Sequence, residues 1–153
     1  MNIELTKKQY RDLIAAVAIN DGIFGILGDT LPDTGYKKRS KETEKLESHL
    51  LQYAKDFDSS DLSEDFEGRP VLDSEVYETK IMPILDDFEE FAIHDGLANK
   101  LAWRDFKREH TKADMEKMAK KNGGYFGVVI YDYEKKYWDE FEKHEYSRLE
   151  IVE

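Results

Sequence analysis

A chain of 153 residues with a net charge of −11 is long enough for one domain that buries about two thirds of its unfolded surface. Its charge works against binding nucleic acid or an anionic membrane. The absence of cysteine excludes disulfides, thiolate nucleophiles and Cys-ligated zinc, and 12% aromatic residues exclude a disordered acidic chain.

The chain opens on a capped helix. Thr6 is an N-cap, Gln9 completes a capping box, and Leu5 with Tyr10 forms a hydrophobic staple. Tyr10, Leu13, Ile14, Val17 and Ala18 mark one helical face. The stretch "NDGIFGILGDTLPDTG" predicts the end of this helix, its glycines and proline making turns around a buried "IFGIL" patch. The most apolar run, Leu13 to Leu27, is interrupted by Asn20 and Asp21 and falls short of the ~20 residues a membrane span needs. With no basic region followed by an apolar core at the start, a cytoplasmic protein is expected.

A second helix is expected from about Ser40 to Lys55, with Leu46, Leu50, Tyr53 and Ala54 inward. Next comes "DFDSSDLSEDFE", 56–67, which reads as a solvated loop with Phe57, Leu62 and Phe66 pinned to the core. "EGRPVLD" follows as an extended connector, because Pro70 biases Arg69 away from helix. "SEVYETKIM" predicts a short helix from Ser74 that breaks at Pro83. A longer helix should start near Asp86 or Asp87 and reach about Glu109. Phe88, Phe91, Ala92, Leu101, Ala102 and Phe106 would face its core, and Gly96 would give a kink or break.

"HTKADMEKMAKKNGG" predicts a helix capped by Thr111, with Asp114 in its first turn, bases in its last and Gly123 as its stop. The β-branched and aromatic "YFGVVIY", 125–131, favours a strand. A final helix presents Tyr133, Tyr137, Trp138 and Phe141, and "RLEIV", 148–152, alternates like a last strand. The expected fold is mainly α: residues 1–153 form a single-domain irregular helical bundle of about five or six helices, with a minor β element near the C-terminus.

Three stretches, "LTKKQYRDLI", "DDFEEF" to "WRDF", and "EKKYWDEFEKHEYSRLEI", resemble a family of small acidic proteins of bacteria and their phages. Its members open on a capped "LT-x-x-x-YR-x-L" helix and close on "RLEI". The resemblance covers about half the chain and implies a helical fold and no catalytic residues. At "GGYFGVVIY" this chain departs from the family, which is more helical there.

The charge is confined. Residues 56–95 hold fourteen Asp and Glu against Arg69 and Lys80, leaving twenty acids and twenty-one bases elsewhere. One segment therefore supplies nearly the whole imbalance. Within 56–67, Asp56, Asp58, Ser60, Glu64 and Glu67 stand at the ligand positions of a calcium loop. Position 6, however, holds Asp61 where the turn requires glycine, and Gly68-Arg69-Pro70 replaces the exiting helix. A metal-regulated protein using this loop is an alternative reading, but no cofactor is expected.

His49, His94, His110 and His144 lack the spacing of a helical zinc motif. No nucleophile elbow or phosphate loop is present. Paired carboxylates such as Asp86 with Glu90 arise readily in so acidic a segment. An enzyme with an unrecognised site stays a further alternative. The first reading is a non-catalytic binding protein, a small inhibitor or adaptor, phage-derived on the family resemblance. It would dock on a basic protein surface through Asp61, Glu64, Asp65, Asp86, Asp87, Glu89 and Glu90, and mimic the charge of nucleic acid there. Direct nucleic-acid or membrane binding is not expected, and the oligomeric state is left open.

Overall fold

The computed structural model describes residues 4–150, and the structural statements below concern those residues. The chain is mainly helical, with a single two-stranded sheet among the described residues. Its contacts divide into two compact units, Met1–Phe88 and Glu89–Glu153, each described by itself. The division falls inside a helix, where no Gly/Pro/Ser-rich linker marks it in the sequence.

In the first unit α1 spans Lys7–Thr30 and carries the expected capping box: the Thr6 hydroxyl accepts from the Gln9 N–H, and the Gln9 side chain accepts from the Thr6 N–H. Tyr10, Ile14, Val17 and Ala18 are buried, with Leu5 packed against the same core. The helix does not end at Asp21-Gly22. It continues because its glycines serve close packing instead of turning. A Cβ on Gly28 would lie 2.7 Å from the Lys37 backbone nitrogen, and one on Gly22 would lie 2.7 Å from a Leu85 methyl. At 24 residues with a mean hydropathy of 1.4 over its best window, α1 is by length and composition long and apolar enough to cross a membrane.

The second helix, α2, spans Tyr36–Leu51 and folds back antiparallel along α1. Gly28 meets Lys37, Ser40 donates to Asp21 at 3.0 Å, and the Tyr10 hydroxyl donates to the Leu50 carbonyl at 2.8 Å. Its buried face is Ser40, Thr43 and Leu51, small where the glycine-bearing α1 comes closest. Leu46 and Tyr53 are exposed, contrary to expectation, whereas Ala54 is buried. Two short 3₁₀ turns, Ala54–Phe57 and Ser60–Leu62, then lead into a hairpin of β1, Ser63–Phe66, and β2, Arg69–Leu72. Ser63 pairs with Leu72 and Phe66 with Arg69.

Glu67 and Gly68 form the two-residue turn, both at positive φ (54° and 82°), as a mirror-type hairpin turn demands. The minor β element therefore lies here, not near the C-terminus, and the expected connector is half of it. Phe57 stacks on Tyr10 at 4.3 Å and Leu62 is buried, but Phe66 is 55% exposed.

Asp73 caps a single turn, α3 (Ser74–Val76), which passes into a π-helical segment, Tyr77–Ile81, and then into α4, Met82–Glu109. Pro83 does not break the helix. Immediately before it the Met82 N–H bonds five residues back to the Tyr77 carbonyl. This wider turn relaxes the crowding that a proline imposes on the preceding α-helical turn. Gly96 lies inside α4 without ending it.

In the second unit α4 packs on α6, Gly127–His144, and α5, Lys112–Lys121, carries its expected Thr111 cap, which Asp114 completes as a capping box. Ala102, Phe106 and Ile130 form the core, flanked by Trp103, Met115, Met118, Phe126, Val129 and Tyr133. Phe141 is also buried, whereas Phe91 and Ala92 are exposed, as is Phe88 at the end of the first unit. The expected strand 125–131 is instead helical from Gly127 onward. Residues 126, 129, 130 and 133 follow helical spacing, and packing them on α4 outweighs β-branched propensity, which depends on context. Of the expected last strand, Leu149 and Glu150 are not in a strand, and residues 151–152 lie outside the described range.

Candidate functional site

The seven carboxylates singled out by sequence are all exposed, and they fall in two local groups. Asp61 lies in the second 3₁₀ turn, with Glu64 and Asp65 following on β1. Asp61 is not free: Arg11 donates to it at 2.8 Å and holds its carboxyl below the usual range. Asp65 accepts from the Gly68 N–H at 3.1 Å and so helps close the hairpin turn.

Asp86, Asp87, Glu89 and Glu90 flank Phe88 on α4, and none of them has a cationic partner within ion-pair distance among the described residues. Helical periodicity sets these four on one side of the helix. Ile84, Phe88 and Phe91, four and three residues apart, line another. These three are 48%, 56% and 56% exposed, so apolar anchors and charge share one stretch of helix.

The calcium-loop positions are dispersed over different local structures. Asp56 is in the first 3₁₀ turn, Asp58 follows it at positive φ, Ser60 starts the second, Glu64 is on β1 and Glu67 is in the hairpin turn. Among the described residues no group of three or more His, Asp and Glu side chains is placed to hold a metal ion. His94 packs among Trp138, Phe141 and Tyr146, His110 lies on Phe106 at 4.5 Å, and His49 meets the edge of Tyr53.

Two groups escaped sequence reading. In the first unit a cleft of about 320 Å³ is lined by Asp21, Glu47, Tyr77 and Glu78. Burial pushes the Glu47 carboxyl up, opposed by its bond from the Leu72 N–H at 3.4 Å and reinforced by Asp21 and Glu44. Burial also raises Asp21, opposed by the Ser40 hydroxyl. Each is a carboxyl that holds its proton above the usual range, the property a general acid needs, but neither meets a histidine or other nucleophile-base pair. Their one sequence signal is a carboxylate at a helix position that faces a neighbouring helix.

In the second unit Asp105 accepts from Tyr137 and from Arg104, and the hydrogen bond from Tyr137 is the main reason its carboxyl is lowered, with Arg104 next. Arg108 and Lys136 stand within 3.8 Å of the same group. This network ties α4 to α6. Comparison with protein-family models, curated proteins and solved structures finds no match for the chain.

Proposed function

We propose that the protein is a non-catalytic, acidic binding protein, an inhibitor or adaptor that engages a basic surface of another protein through the N-terminal half of α4. The observation that supports this reading is the exposure of Asp86, Asp87, Glu89 and Glu90, without cationic partners, beside exposed Ile84, Phe88 and Phe91. Unpaired carboxylates steer a cationic partner and raise its on-rate, while aromatic anchors slow its release. An amphipathic helix of this kind suits an apolar groove rimmed by Lys and Arg.

Glu64 and Asp65 on the hairpin add to the field. Asp61 contributes less, because Arg11 offsets its charge. On this reading the partner is a protein of the cytoplasm, the acidic stretch occupies ground that nucleic-acid phosphates could occupy, and the resemblance to phage-borne acidic proteins suggests a phage origin.

The test is capture of host proteins by the immobilised full chain over a range of salt. Captured partners should be basic and should elute with rising ionic strength. The variant D86N/D87N/E89Q/E90Q should capture less and show a flatter salt dependence, and F88A/F91A should shorten residence without changing that dependence. Capture unaltered by both variants removes this stretch of α4 as the docking element.

A further inference from the structure

The first unit holds a second cleft, of about 230 Å³, between α1, the hairpin and the π-helical segment. Its walls are apolar: Ile14, Leu62, Leu72, Val76 and Ile81. The π-helical bonding shapes it. Bonds that reach five residues back bring residues five apart towards one helix face. Val76 and Ile81 thus line the same cleft, with Lys80 beside them at its mouth. Segments of this kind occur mostly as single-turn bulges within α-helices, frequently at functional sites.

The charges at the mouth can be counted. Arg11 is neutralised by Asp61 at 2.8 Å, and Asp12 by Lys8 at 2.6 Å. Lys80 has no ion-pair partner among the described residues, although it sits in the most acidic part of the chain. One unmatched positive charge therefore stands over an apolar cleft. A dry cavity of about 150 Å³ is enough for benzene, whereas drug-sized ligands need about 300 Å³ or more. The volume here lies between those limits.

We infer that this cleft binds a small amphipathic monocarboxylate, its ring or short chain against Ile14, Val76 and Ile81 and its carboxylate on Lys80. The apolar walls supply most of the affinity, and Lys80 selects for a single negative charge. A dicarboxylate would meet only one cation, and an amine would meet repulsion.

The test titrates the methyl-labelled full chain with 3-phenylpropionate, 3-phenylpropan-1-ol and 3-phenylpropylamine, followed by NMR. The acid should give saturable shifts at the Ile14, Leu62, Leu72, Val76 and Ile81 methyls, the alcohol weaker ones and the amine the weakest. Lys80→Gln should weaken the acid about three- to fivefold, as expected for an exposed ion pair, and leave the alcohol unchanged. Val76→Phe, which fills the cleft, should abolish all three, and Ala15→Phe serves where that variant does not fold. Non-saturating shifts spread over the surface, an amine that binds as tightly as the acid, or a Lys80→Gln change that affects acid and alcohol equally would each overturn the assignment.

Discussion

At the scale of single residues, the glycines of α1 show how one residue type serves opposite ends. Glycine in a helix interior costs about 1 kcal/mol relative to alanine, so replacing it should stabilise wherever there is room. Gly25 has room, its nearest neighbour to a Cβ being the Ser40 hydroxyl at 4.0 Å. Gly28 has none, because the obstacle is the Lys37 backbone at 2.7 Å. Gly25→Ala should therefore raise stability by about 0.5–1 kcal/mol, and Gly28→Ala should lower it by about 1–3 kcal/mol, as overpacking does. Urea denaturation of the pair checks both signs, and a gain at both positions would mean that α2 does not lie close to Gly28. The capping box at Thr6 and the cap at Thr111 were legible in sequence because each lies within four residues. The role of the glycines was not, because it depends on a helix that returns from nine or more residues away.

At the scale of elements, periodicity found the helical faces but not always their partners. Phe88 and Phe91 fall on the same helical stripe of α4 as Ala102 and Phe106, yet the first two are exposed and the second two fully buried. A pattern identifies an apolar face, and only the fold decides whether something covers it. The acidic residues of the candidate site were legible one by one, since carboxylates are placed outward by their cost of burial. That Arg11 takes up Asp61 was not, because fifty residues separate them.

The stretch 125–131 erred in the other direction: local propensity favoured a strand and packing made a helix. Tyr131, in the first turns of α6 and 60% exposed, tests this. Tyr131→Ala in a helix should be neutral or stabilising by up to about 0.5 kcal/mol, whereas loss of an aromatic from a strand would cost up to about 1 kcal/mol. A melting temperature that falls with this substitution, together with unchanged helical circular dichroism, would contradict the helical assignment.

At the scale of the whole molecule, carboxyls that the fold raises and carboxyls that it lowers oppose one another as pH changes. Glu47 and Asp21 are raised, chiefly by burial. The native state then holds protons that the unfolded state has released, so stability falls as pH rises from the unfolded values, about 4.3 for Glu and 3.9 for Asp, through the folded ones. Asp61, Asp105 and Asp114 are lowered, by Arg11, by Tyr137 with Arg104, and by Thr111 respectively. What they contribute is present above about pH 3.9 and is lost as pH falls through their folded values.

The two windows lie on either side of the ordinary carboxylate range, and the self-repulsion of a chain at −11 also eases on mild acidification. Stability should therefore peak on the acid side of neutrality, and a melting temperature higher at pH 5 than at pH 8 is the expected result. Glu47→Gln isolates the cause, since the amide oxygen can still accept from the Leu72 N–H while the charge is gone. The variant should melt higher than the parent at pH 7, and the gap should close as pH falls below about 4.3, where the parent's Glu47 is protonated in both states. A gap that stays constant with pH would trace the gain to packing and not to titration, and a variant that melts lower at pH 7 would show that Glu47 is more stabilising charged than neutral.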